Sequence, residues 1–122
     1  MEIIRNSGCD NAPKNKFIQE YSIALLTNNQ EALLEKSAEQ IEMYLSKGTM
    51  IKGKEALSQL RDFLPTGHQI LRCDASISHG KQASFLGTLE NDIETLFVSI
   101  HYEFRTFKAT DIVKAILFLE EK

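Results

Sequence analysis

Between residues 69 and 104 apolar and polar positions alternate in three successive runs, the pattern of strands buried on one face. In the first run Leu71, Cys73, Ala75 and Ile77 alternate with Arg72, Asp74, Ser76 and Ser78. His79-Gly80-Lys81 then places a glycine where a two-residue hairpin loop requires positive φ, and residues 83–89 form the returning strand. Asn91-Asp92 marks a second turn. Residues 95–105 make the longest run, with Leu96, Val98, Ile100, Tyr102 and Phe104 on one face. Thr95, Phe97, Ser99, His101, Glu103 and Arg105 occupy the other.

Ahead of these strands the period is helical. Asp10 or Asn11 can cap a first helix with Pro13 in its first turn, and Phe17, Ile18, Tyr21, Ala24, Leu25 and Asn28 share one face until Thr27-Asn28-Asn29 ends it. A second helix is predicted over 30–38, carrying Leu33, Leu34 and Ser37, with Glu31 and Lys36 placed as the helix dipole favours. Residues 40–46 return to alternation, Ile41, Met43 and Leu45 pointing one way. Lys47-Gly48 turns the chain into a short strand at 49–51. A third helix, 54–64, buries Ala56, Leu57, Leu60, Phe63 and Leu64 and is stopped by Pro65 and Gly67. The last strand, 111–119, is apolar except for Lys114, which predicts cover on both faces for part of its length. Helices that lead and strands that follow predict an α+β domain, with three N-terminal helices packed on a curved, mainly antiparallel sheet. Residues 1–10 show no clear periodicity, and 1–12 read as a loose N-terminal arm, leaving 13–122 as a single domain.

Composition narrows the function more than it names one. The 122 residues are 43% hydrophobic, which suits one core. A net charge of −3 and a pI near 5.6 give no electrostatic reason to expect nucleic acid or an anionic membrane as partner. Two cysteines, Cys9 and Cys73, cannot build a disulfide framework, and Cys73 sits where a buried thiol acts as a small hydrophobe. Ser7-Gly8-Cys9 lacks the preceding apolar run of roughly 7–15 residues that an export signal needs. No stretch approaches the roughly 18 apolar residues of a membrane span, so a cytoplasmic protein is expected. His68, His79 and His101 have no metal-ligand spacing, so neither a metal nor a cofactor is expected. His68, beside Gly67 in a loop before a strand, is placed to approach a pocket mouth. Asp74 and Arg72 share the polar face of their strand, as a surface or interface ion pair would. There is no nucleophile elbow, Gly-rich phosphate loop or dinucleotide fingerprint, and no catalytic residue is assigned.

Four segments together resemble the nuclear-transport-factor-2-like (NTF2-like, SnoaL-like) superfamily of the cystatin-like fold, with its bacterial members as the comparison. They are residues 17–24, residues 41–45 leading into Ile51-Lys52-Gly53-Lys54-Glu55-Ala56, residues 77–83 with Gly87-Thr88-Leu89, and Tyr102-Glu103-Phe104. The resemblance covers about residues 14–119. It implies a cone-shaped α+β domain with a pocket between helices and sheet, and an open sheet face that pairs two subunits. Carried over residue by residue, the pocket candidates are Tyr21, Met43, Phe85, Ile100 and Tyr102. The open-face candidates for a homodimer are Phe97, Ser99, His101, Glu103 and Arg105. Relatives of this type often have Trp where Met43 stands and Asp where Ile100 stands, so this pocket would be more apolar and less acidic. The expectation is a domain that binds a small apolar ligand without evident catalytic machinery. The alternatives are a dimeric interaction or structural domain whose pocket is filled by its own side chains, or a SnoaL-like isomerase or cyclase.

Overall fold

A computed structural model describes residues 1–8, 12–45, 48–107 and 111–122. In chain order the elements are β1 (Glu2–Ile4), α1 (Pro13–Leu26), α2 (Gln30–Lys36), β2 (Ser37–Tyr44), β3 (Met50–Lys52), a 3₁₀ helix (Lys54–Asp62), β4 (Ile70–His79), β5 (Gln82–Glu90), β6 (Thr95–Phe104) and β7 (Ile112–Glu121). The fold is α+β, with three helices and, among the described residues, a seven-stranded mixed sheet in the order β1-β4-β5-β6-β7-β2-β3. Its β1/β4 and β2/β7 pairs are parallel and its other four pairs antiparallel.

The longest alternating run forms as expected: Leu96, Val98, Ile100, Tyr102 and Phe104 are all buried in the core on β6. Phe17 of α1 packs on Phe104 and Tyr21 on Tyr102, which sets this helix against the same face. The β4–β5 hairpin turns at Gly80 with φ 59°, as the sequence requires. Gly87 on β5 has a different role. A Cβ there would lie 2.4 Å from the Arg72 carbonyl oxygen, so only glycine lets β4 approach this closely.

Several expectations are corrected. In β4 the register shifts between Cys73 and Ala75, which inserts one residue and reverses the alternation beyond it. Leu71 and Cys73 face the core, but the next buried residue is Ser76, and Ile77 turns outward. Arg72 pairs with Glu90 at 2.9 Å rather than with Asp74. The second helix ends at Lys36, because Ser37 is already extended (φ −103°, ψ 146°) and pairs with Ile112 at the start of β2. The third helix is 3₁₀ and stops at Asp62. Its three-residue period stacks Leu57 and Leu60 inward while Phe63, just past its end, is 45% exposed.

On β7, Ala115 and Leu117 are buried but Phe118 is exposed, so a single chain covers only one face of this strand. The N-terminal residues are not a loose arm throughout. Glu2–Ile4 lie parallel to β4, Arg5 grips Glu20 through two bonds of 2.9 and 3.0 Å, and the Asn6 amide donates to the Gln19 side chain. Gln19 and Ile23 are buried together with Ile18, Tyr21, Ala24 and Leu25 of the expected stripe of α1, whose Phe17 and Asn28 are half-buried. The proposed caps Asp10 and Asn11 and the turn residue Lys47 lie outside the described residues.

Candidate functional site

All five pocket candidates fall in one buried cluster. Tyr21, Met43, Phe85, Ile100 and Tyr102 are each closed to solvent, with Phe85 directly opposite Ile100 on β5 and β6. The Tyr21 and Tyr102 rings meet edge to face, 5.4 Å between centroids and 88° apart. Their hydroxyls are already occupied. Tyr21 Oη lies 2.6 Å from Ser37 Oγ and Tyr102 Oη 2.7 Å from Ser22 Oγ, so each phenol has a serine of its own chain as partner. Burial disfavours the phenolate, raising the Tyr21 pKa to about 12 against the opposing hydrogen bond from Ser37, and the Tyr102 pKa well above 10. Neither serine carries a sequence signal for this role beyond lying on the inner side of its element.

Space opens elsewhere. A cleft of about 560 Å³ lies where Leu45, Phe63, Leu64 and Pro65 approach Leu117 and Leu119 on the inward side of β7, with Thr49 and Asp62 as polar neighbours. None of the five candidates lines it. Sequence reasoning missed it because its wall joins three distant stretches, of which only Pro65 and the end of the third helix gave a local signal. A second cavity of about 610 Å³ includes His68, the loop histidine expected near a pocket mouth.

The open-face candidates are placed as the alternation predicts on β6. Phe97 and His101 are exposed and Ser99 and Glu103 half-buried, while Arg105 lies past the end of the strand and binds Asp111 at 2.8 Å. His101 Nδ1 lies 3.1 Å from Ser84 Oγ, and Gln82 donates to Glu103 at 3.2 Å. Reversal of the pattern in β4 brings Ile77 to this face, which also carries Leu86, Phe97 and Phe118. These four apolar side chains are 46–62% exposed. No helix among the described residues covers them. Between Leu86, Phe97 and Phe118 lies a dimple of about 360 Å³ floored by Gly87 and Val98. No group of three or more His, Cys, Asp or Glu able to hold a metal occurs among the described residues, and no described helix is long and apolar enough to cross a membrane.

No protein-family model matches the chain, and no curated protein matches it by sequence. Solved structures do. An NTF2-like protein of unknown function from Burkholderia xenovorans LB400 superposes with a TM-score of 0.72 at 13% identity, over 89% of this chain and 84% of the other. A candidate ketosteroid isomerase from Kribbella flavida gives 0.71 at 18% identity, over 89% and 78%. A candidate SnoaL-like polyketide cyclase from Shewanella putrefaciens gives 0.69 at 7% identity, over 89% and 90%. The chain thus has the NTF2-like fold. Because that fold serves proteins of different activities, the likeness carries no reaction with it.

Proposed function

We propose that this NTF2-like domain binds a small apolar ligand between helices and sheet. The ligand would sit in the cleft at Leu45, Phe63, Leu64, Leu117 and Leu119 rather than at the buried aromatic cluster. The supporting observation is the cleft itself: six apolar residues converge on about 560 Å³ at the margin of a core whose centre is closed. The test is titration with the neutral fluorophore N-phenyl-1-naphthylamine. Its emission should rise on binding, and Leu119→Trp, which fills the cleft, should weaken binding on the order of tenfold or more, a loss of about 1.4 kcal/mol. Equal binding by the two proteins would remove the cleft as the site.

Acid–base catalysis of the ketosteroid isomerase kind is not expected. That chemistry needs a carboxylate base and acidic donors to an oxyanion. Ile100 and Met43 offer neither, and the hydroxyls of Tyr21 and Tyr102 are held by Ser37 and Ser22. An assay on a β,γ-unsaturated ketone should show the buffer rate; turnover abolished by Tyr102→Phe would overturn this.

The apolar open face favours a second feature, a homodimer of cytoplasmic chains paired face to face. Ile77, Leu86, Phe97 and Phe118 form the apolar centre. Glu42, Lys114 and Glu103 lie side by side on adjacent strands as an alternating charged row that can meet a rotated copy of itself. Light scattering at tens of micromolar should give the dimer mass for the wild type and the monomer mass for Phe97→Asp with an unchanged circular dichroism spectrum. A wild-type monomer would eliminate the pairing.

A further inference from the structure

Leu64 and Pro65 also line the second cavity, which lies between β1, the end of α1 and the loop into β4. Ile3, Ile23, Leu26 and Leu64 supply its apolar wall. His68 supplies something different. Its side chain is 2% exposed, and its Nε2 lies 3.0 Å from Glu94 Oε1. An ionised carboxylate only accepts, so Nε2 carries the hydrogen, and in the neutral ring Nδ1 is left as an acceptor. That Nδ1 is buried and has no hydrogen-bond partner among the described residues. A buried acceptor without a donor costs free energy that a ligand donor would recover.

The charges around the ring limit which donor fits. Glu94 behind the imidazole opposes an anionic head group, and the cavity lining includes no carboxylate to pair with a buried cation, its Arg61 lying 4.0 Å from Asp62 at the surface. A neutral hydroxyl satisfies both. We infer that this cavity binds a small neutral alcohol, its apolar body against Ile3, Ile23, Leu26 and Leu64 and its hydroxyl donated to His68 Nδ1. Because Nδ1 is closed to solvent, the ligand reaches it by shifting a wall. The three-residue β1, paired to the sheet on its β4 side alone, is the short edge strand of that wall. The site shares Leu64 and Pro65 with the apolar cleft proposed above but differs from it in using β1 and His68 in place of β7.

The experiment compares 1-hexanol with its isomer pentyl methyl ether, which has the same atoms but no hydroxyl donor, using the whole chain. Hexanol should bind about tenfold more tightly, as one hydrogen bond to a buried group allows. In imidazole nitrogen spectra it should move the Nδ1 signal of His68 and leave those of His79 and His101 in place. Ile3→Trp should abolish this binding and Leu119→Trp should not, while His68→Phe should make the two ligands equal. Equal affinity of alcohol and ether for the wild type, no binding, an unmoved His68 signal, or loss on Leu119→Trp instead of Ile3→Trp would each overturn the proposal. Should His68→Phe fail to fold, the isomer comparison and the wild-type nitrogen shift decide alone. Apart from loss on Leu119→Trp, which would place the alcohol in the other cleft, these outcomes leave the naphthylamine result untouched.

Discussion

Phe104→Ala is expected to lower the unfolding free energy by about 3–5 kcal/mol, among the largest effects of any single truncation in the chain. The ring is buried at the end of β6, packs at 5.9 Å on Phe17 of α1, and carries the Lys14 ammonium 4.8 Å from its centroid. Removing it deletes the transfer free energy of a large side chain, leaves a cavity between helix and sheet, and takes away the cation–π contact. Leu60→Ala and Leu25→Ala, both at fully buried positions, should each cost roughly 2–5 kcal/mol for the first two reasons. Urea unfolding monitored by circular dichroism measures this. Ile93→Ala is the control: that side chain is 93% exposed, and its loss should change stability by no more than about 0.5 kcal/mol. A Phe104→Ala midpoint matching the control would mean that the faces of β6 are assigned the wrong way round.

Alkali should unfold this protein through two tyrosines. Unfolded, each phenol titrates near 10; folded, Tyr21 is raised to about 12 and Tyr102 well above its ordinary value, both mainly by burial. Between those limits the folded chain holds protons that the unfolded chain has released, so stability falls as pH rises, and the full contribution is present only below pH 10. For Tyr21 alone the loss by pH 12 is roughly 2 kcal/mol, and Tyr102 adds to it in the same direction. Absorbance at the phenolate band should therefore show these two residues ionising together with the loss of far-ultraviolet circular dichroism. Tyr102→Phe should move the alkaline midpoint upward. Ionisation of all three tyrosines near pH 10 in a chain that stays folded would show that the pair is not buried as described.

Much of the architecture could be read from residues close together in the chain. The period-two run on β6, the glycine at the β4–β5 turn and the Asn28-Asn29 stop after α1 express local backbone preferences and local alternation. Their placement in the structure follows the sequence directly. The α+β class followed as well, because a strand or helix with one apolar face must find a layer to bury it.

What failed was decided between elements. Nothing in residues 70–79 announces the extra residue in β4; it appears only when β5 sets the register, and it alone turns Ile77 outward and Ser76 inward. The N-terminal stretch lacks periodicity because the edge strand at residues 2–4 is too short to show one, and its hold comes from β4, Glu20 and Gln19. The site was least legible. Apolar side chains at strand spacing fit a packed core and a ligand wall equally well, so Tyr21, Met43, Phe85, Ile100 and Tyr102 could be placed together but not declared open or closed. The hydrogen bonds to Ser22 and Ser37 and the approach of Leu45 and Leu64 to β7 link residues far apart in the chain. Such contacts depend on how the layers dock, which the sequence pattern of any one element does not contain.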